Sequence, residues 1–181
     1  MAAQITVNGD RFVEMISERR IKTAVKRLAK EIDRNYRGTI PVFIGILNGS
    51  FIFLADLVRE VKVDCEIDFL KLSSYGDAKI SSGNVRLLKD LNCQVEGRDI
   101  IIVEDIVDTG LTLDNFLQDL EKFEPASVKL ACFTFKKEAF KKSFRIDYLG
   151  ITIPNDFVVG YGLDYDGYGR NLPDIYKIVS S

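Results

Sequence analysis

Histidine is absent from the 181 residues of this chain. That absence excludes Ser-His-Asp triads, Cys-His dyads and His-ligated zinc. A general base must then be a carboxylate, lysine, tyrosine or cysteine. A metal must be satisfied by oxygen ligands, which points to Mg²⁺ or Mn²⁺. Cysteine is scarce: Cys65, Cys93 and Cys132 are odd in number, far apart and form no CxxC pair. A disulfide framework or thiolate metal site is not expected, a reducing compartment fits, and all three read as small buried hydrophobes. There is no internal repeat and no Pro/Gly/Ser-rich linker, so residues 1–181 are expected to form a single domain. Nor is positive charge in excess. The 25 Lys+Arg against 27 Asp+Glu leave a net charge of −2, which argues against binding nucleic acid by bulk charge, and no nucleic-acid partner is expected. With 46% apolar and 29% charged residues, wholesale disorder is excluded.

The opening MAAQITVNGDRF lacks the apolar core of a signal peptide. Gly38 to Ala55 carries no charge over 18 residues, a length at which a membrane span becomes a candidate. Pro41 near one end and Asn48-Gly49-Ser50 in the middle make strand, turn, helix the better account. A soluble, cytoplasmic chain without a membrane partner is expected.

The pattern of elements follows from periodicity. Residues 17–35 read as a helix with Ser17 as N-cap and Ile21, Ala24, Val25, Leu28 and Ile32 on one face. Pro41 to Leu47 is an unbroken apolar run, as in a strand covered on both faces. A helix over Phe51–Arg59 follows the Asn48-Gly49-Ser50 turn. Val63, Cys65, Ile67 and Phe69 alternate with acids, the period of a half-exposed strand. Residues 73–83 form a polar stretch of the length that is often functional or mobile, and a short strand is possible at Val85–Lys89. Asp99 to Asp105 reads as a buried strand emerging into acid. Leu113, Phe116, Leu117 and Leu120 give a helical stripe, and strands are expected at Ser127–Phe135 and Arg145–Ile153. This alternation predicts an α/β fold with a mostly parallel twisted sheet flanked by helices. In such sheets ligands bind beyond the carboxyl ends of the strands, here after Leu47, Val103 and Phe135.

The segment Val103-Glu-Asp-Ile-Val-Asp-Thr-Gly-Leu-Thr-Leu113 is the richest in chemistry. A buried strand ends in Glu104 and Asp105, followed by Asp108 and then Thr109-Gly110-Leu111-Thr112 directly before a helix. Backbone N–H groups, two hydroxyls and a glycine at a helix N-terminus make a phosphate cradle. Carboxylates at the strand end can accept from a ribose diol, directly or through a hydrated Mg²⁺. Together they suggest a ribose 5-phosphate ligand. As bare sequence, the three acids also fit solvated turn residues that favour the helix dipole. There is no GxxxxGK[ST], and GYGLDYDGYG fails the GxGxxG spacing at Tyr165.

An apolar run, two acids, two apolar residues and DTGxT resemble the phosphoribosyl pyrophosphate motif of type I phosphoribosyltransferases. The variant VEDIVDTGLTL is similar to their 6-oxopurine branch, the hypoxanthine-guanine phosphoribosyltransferases. Leu47-Asn-Gly-Ser50 resembles that family's pyrophosphate loop, Ser74-Tyr75 its mobile lid, Lys136 its purine-reading lysine, and Ile153-Pro-Asn-Asp-Phe-Val-Val-Gly-Tyr-Gly-Leu-Asp164 with Arg170 its base-binding segment. The resemblance covers roughly residues 10 to 179.

It implies a type I phosphoribosyltransferase fold with a small hood built from the N-terminal segment and about 154–181. The implied reaction joins N9 of hypoxanthine or guanine to phosphoribosyl pyrophosphate with Mg²⁺, in a homodimer or homotetramer. Thr109, Gly110, Leu111 and Thr112 would hold the 5′-phosphate. Glu104 and Asp105 would engage the ribose hydroxyls and Mg²⁺. Asn48 and Gly49 would hold pyrophosphate, with a cis peptide between Leu47 and Asn48, and Arg170 would grip it bidentately. Asp108 would exchange a proton at purine N7, Lys136 would donate to O6, Phe157 would stack on the base and Val158 would touch it through its main chain. Asp164 would bind a second Mg²⁺ and reach the base edge, and Ser74 and Tyr75 would close the lid.

Without the resemblance, Asn48-Gly49 reads as an ordinary turn, Lys136 as one of a solvated pair with Lys137, Phe157 as core and Tyr75 as an exposed loop tyrosine. The sequence departs from the family at Asp156, where a lysine is common, which bears on base preference. Two rivals stand beside this reading. One is transfer to another base such as xanthine. The other is a regulator of the same fold that binds RNA, with a basic patch at Lys136, Lys137, Lys141 and Lys142.

Overall fold

The computed structural model describes residues 3–72 and 91–179. Strands β1 (Gln4–Val7) and β2 (Asp10–Ile16) lead into helix α1 (Glu18–Asn35), then β3 (Val42–Leu47), α2 (Phe51–Glu60) and β4 (Glu66–Lys71). After the gap come β5 (Asp99–Val107), α3 (Leu111–Glu121), β6 (Ser127–Lys136), β7 (Tyr148–Ile153), β8 (Val158–Val159) and β9 (Ile175–Ile178). The strand expected at Val85–Lys89 lies outside the described residues.

Five strands form one sheet in the order β4-β3-β5-β6-β7, every neighbouring pair parallel. Its central strands carry apolar runs because both faces are covered there. Phe43, Ile101, Val103, Ala131 and Phe133 pack with the apolar faces of α1 and α2. Ile44, Ile100, Ile102, Leu130 and Cys132 face the other way, against Leu113, Phe116 and Leu120 of α3. The chain leaves β3 for the β4 edge and returns to β5 on the opposite side of β3. The carboxyl ends of β3 and β5 therefore flank the point where the winding reverses, and a crevice forms there.

A second sheet, β1-β2-β9-β8, is antiparallel and joins strands from both ends of the chain. None of its strands was expected from periodicity. The missed signal was Asn8-Gly9: both residues have positive φ, 50° and 88°, as the tight turn of a hairpin requires.

Several expected boundaries shift for identifiable reasons. Ser17 does cap α1 by position, but its side chain makes no capping hydrogen bond. The Glu18 N–H donates instead to Asp174 Oδ1 at 2.7 Å. β4 inverts the expected phase: Asp68 and Leu70 turn inward, while Ile67 and Phe69 are 47% and 41% exposed. The Asp68 carboxylate accepts N–H groups of Phe69, Asn92 and Cys93 at 2.8, 2.6 and 2.9 Å. Burial alone would raise its pKa, but these bonds outweigh burial and hold it below the usual range. β7 starts at Tyr148 rather than Arg145, because Asp147 is turned back to accept the Leu130 N–H at 3.0 Å. Only Cys132 is a buried cysteine; Cys65 and Cys93 are half-buried. Among the described residues no helix is long and apolar enough to cross a membrane, and the uncharged stretch 38–55 resolves into β3, a turn and α2.

Candidate active site

β5 runs two residues further than its apolar run implied, to Val107. Glu104 and Asp105 therefore lie within the strand, not at its end. There the sheet still shields them. Glu104 stands opposite Cys132 in the β5–β6 ladder, and its Oε2 is buried with no hydrogen-bond partner. Burial, then the neighbouring Asp105 charge, pushes its carboxyl well above the usual range. Burial also raises Asp105, to about 6, against the opposing Ile106 N–H bond at 2.8 Å and the Arg170 charge. The Asp105 carbonyl accepts from Thr134 Oγ1 at 2.8 Å, which ties β5 to β6 at this level.

The turn after β3 lies against this carboxylate. The Leu47–Asn48 peptide is cis, as the resemblance implied. A Cβ at Gly49 would overlap the Asp105 carboxyl group, so only glycine fits there. On its other side the Gly49 carbonyl meets Gly162, whose φ is +100° and whose own Cβ position would overlap that oxygen. Gly162 was not singled out as a site residue. Its signal was present in Gly160-Tyr-Gly162, a pair of glycines that marks a close backbone approach and not a dinucleotide fingerprint. Ser50, next to Gly49, is fully buried and its hydroxyl is unpartnered.

Arg170 donates to the Gly162 carbonyl at 2.7 Å and pairs with Asp164 Oδ1 at 2.7 Å. The other Asp164 oxygen accepts the Gly167 N–H at 2.7 Å. Asn48, Gly49, Glu104, Asp105, Asp164 and Arg170 thus belong to one assembly around the crevice. Among the described residues no three acidic or sulfur side chains converge on a metal by themselves. Mg²⁺ needs only one or two carboxylates when phosphate and water complete its shell. Buried Glu104, with an idle oxygen, suits that chemistry.

Asp108 follows β5, and its Oδ2 lies 3.0 Å from Nζ of Lys136. Lys136 ends β6 instead of following it, and it is 8% exposed. It is neither a solvated lysine nor part of a surface patch with Lys137. Lys142 likewise pairs with Asp114 at 2.9 Å, half-buried. Two of the four lysines that the RNA-binding rival would use, Lys136 and Lys142, are therefore already paired. Thr109 to Thr112 form the entry to α3. Gly110 is its N-cap in the left-handed region, φ 77°, seated on Phe140 and Phe144. Thr109 Oγ1 accepts from the Leu111 N–H at 3.4 Å, and Leu111 is exposed.

Phe157 is 44% exposed, which removes the core reading for that ring. It meets Tyr165 edge-on at 5.3 Å and Phe12 at 6.4 Å. Val158 is buried and pairs with Lys177 across β8–β9. Asp156 is held by Lys177 at 3.3 Å, so its reversed charge is matched locally. Ser74 and Tyr75 lie outside the described residues.

Residues 13–166 match the family described as phosphoribosyl transferase domain. The chain is 42% identical over 173 residues to a hypoxanthine-guanine phosphoribosyltransferase of Aquifex aeolicus (strain VF5), covering 95% of this chain and 97% of that protein. Among solved structures, a hypoxanthine-guanine phosphoribosyltransferase from Bacillus anthracis superposes with a TM-score of 0.84 at 39% identity, covering 97% of this chain and 100% of that one. A hypoxanthine phosphoribosyl transferase of Trypanosoma cruzi, studied for the role of its C-terminal region in oligomeric state and enzymatic activity, gives 0.82 at 40% identity, with 92% and 90% coverage.

Proposed function

The chain belongs to the phosphoribosyl transferase family, and from that premise we propose that it is a purine salvage enzyme. It transfers the 5-phosphoribosyl group of phosphoribosyl pyrophosphate to N9 of hypoxanthine or guanine, giving IMP or GMP and pyrophosphate. The observation that carries this reading is the Asp108–Lys136 pair at the carboxyl ends of β5 and β6. In the N7–H tautomer of a free 6-oxopurine base, O6 accepts and N7–H donates, side by side on one edge of the ring. A carboxylate and an ammonium 3.0 Å apart match that edge: Lys136 donates to O6 while Asp108 faces N7.

The chemistry then balances. The bond from C1′ to the pyrophosphate oxygen breaks and the bond from C1′ to N9 forms. The proton on N7 of the attacking base passes to the Asp108 carboxylate. Thr109, Gly110, Leu111 and Thr112 hold the 5′-phosphate through the N–H groups that open α3. Asn48 and Gly49 present N–H groups to pyrophosphate, and Arg170 grips it. Phe157 stacks on the base, and Val158 and Asp164 contact it through main-chain atoms. Glu104 and Asp105 receive the ribose hydroxyls, and with Asp164 they would hold Mg²⁺. When bound, Mg²⁺ supplies charge for the departing pyrophosphate. Ser74 and Tyr75 belong to a lid that excludes water. The antiparallel sheet with residues 154–181 serves as the hood. Exposed Phe51, Ile67 and Phe69 support burial between copies, hence a homodimer or homotetramer, in the cytoplasm.

The test is product formation from phosphoribosyl pyrophosphate and Mg²⁺ with hypoxanthine, guanine, xanthine and adenine offered separately. Turnover of hypoxanthine or guanine is expected, because Lys136 and Phe157 are in place. Preference for xanthine or adenine would overturn the base assignment, and no turnover of any base would overturn the enzyme reading.

A further inference from the structure

The whole-chain charge hides a strong local excess on α1. Its 18 residues carry seven cations, Arg19, Arg20, Lys22, Lys26, Arg27, Lys30 and Arg34, against Glu18, Glu31 and Asp33. At about 100° per residue, Arg19, Arg20, Arg27, Lys30 and Arg34 fall within roughly a quarter-turn of the helix surface that holds no acid. Arg37 continues the line beyond the C-cap. Glu18 and Asp33 lie outside this arc, where Glu18 pairs with Lys22 at 2.6 Å and Asp33 accepts the Lys62 N–H at 2.7 Å. Glu31, at its border, pairs with Arg27 at 3.3 Å. Among the described residues Arg19, Arg20, Lys30, Arg34 and Arg37 have no ion-pair partner, and all five are exposed. From Arg19 to Arg34 the stripe spans about 22 Å at 1.5 Å per residue. It borders a groove of about 450 Å³ between α1 and the sheet-edge strand β7, lined by Arg19, Arg20, Thr23, Arg27 and Gly150. Arg27 is fixed there by the Leu149 and Gly150 carbonyls at 2.7 and 2.9 Å.

The geometry points to a second binding function: this face of α1 receives the phosphate backbone of a nucleic acid. A row of unpaired guanidinium and ammonium groups of this length complements regularly spaced phosphates. An anionic bilayer is a poorer fit, because an interfacial helix must sink its apolar face into lipid, whereas Ile21, Val25, Leu28 and Ile32 are locked in the core. Recognition by base stacking is not offered either: the one aromatic at this end of the helix, Tyr36, is buried. The contact is therefore electrostatic and sequence-independent. It uses none of the crevice residues and stands apart from phosphoribosyl transfer.

The test is fluorescence anisotropy of the full chain with a labelled 20-base-pair duplex RNA and a duplex DNA of the same length, titrated with salt. Five phosphate contacts on a duplex predict a slope of log K against log salt of about −4.5. The variant Arg20→Ala/Lys30→Ala/Arg34→Ala should flatten that slope to about −2 and weaken binding roughly tenfold or more at low salt. Phosphoribosyl transfer should stay unchanged, which also shows that the variant is folded. Removing the same kind of charge elsewhere, in Arg59→Ala/Lys122→Ala, should leave binding intact. Binding to either duplex supports the proposal, and the tighter one names the natural class. No binding at about 50 mM salt, equal loss in the control variant, or equally tight binding to polyglutamate would overturn it.

Discussion

Replacing Asp105 by asparagine should stabilise the free protein at neutral pH while abolishing its proposed chemistry. Burial raises the Asp105 carboxyl from 3.8 to about 6. A shift of about two units at ~1.36 kcal/mol each corresponds to roughly 3 kcal/mol of folding free energy opposed by the charged form. Asparagine removes that charge and can keep an oxygen for the Ile106 N–H, and the opposing attraction of Arg170 is already contained in the net shift. A net gain of about 1–3 kcal/mol follows, or roughly 3–10 °C in Tm for a chain of this size. The sign fixes the pH window. A carboxyl whose pKa is higher folded than unfolded takes up protons on folding, so its penalty is absent below about pH 4 and complete above about pH 7. Thermal melts of wild type and Asp105→Asn should therefore diverge as pH rises through that window, in buffer with a chelator so that no cation offsets the charge. Coincident melts at pH 7.5, or a gap of the same size at pH 4, would refute the reasoning.

Two further outcomes test the crevice from other sides. Asp108→Asn should lower kcat by ~10² or more with little change in melting, because asparagine still bonds Lys136; steady-state rates that match wild type would remove Asp108 from the proton step. Gly49→Ala should cost about 1–3 kcal/mol through overlap with the Asp105 carboxyl and should weaken phosphoribosyl pyrophosphate binding. Calorimetry showing unchanged affinity and Tm would mean that the turn moves freely away from β5.

What the sequence made legible were the features whose signal is local. The apolar face of α1, the runs of β3 and β5 and the DTGLT turn each carry their own periodicity or turn chemistry, and each stands near its expected place. What stayed hidden depended on distant partners. Asp68 points inward only because the N–H groups of Asn92 and Cys93 meet it there, and nothing within 63–69 announces them. Glu104 and Asp105 read as the end of a strand because charge is rarely buried, yet β5 carries them inside. Gly162 matters only because Gly49, more than a hundred residues earlier, passes beneath it. The hood strands are short and individually weak, and they exist by pairing the two ends of the chain.

The same long-range pairing bears on how the site would work. In the free protein two of its cations are already matched: Lys136 by Asp108 and Arg170 by Asp164. The two remaining acids, Glu104 and Asp105, are held where burial disfavours their charge. On the proposed reading, substrate binding is then an exchange of partners. Pyrophosphate replaces Asp164 on Arg170, the purine edge enters between Asp108 and Lys136, and Mg²⁺ relieves the buried carboxylates. The exchange on Arg170 swaps one ion pair for another and so spares the full cost of desolvating a bare charge. A site built this way holds its two cations paired while empty. It also couples base, pyrophosphate and cation through the single β5–α3 segment that carries Glu104, Asp105 and Asp108.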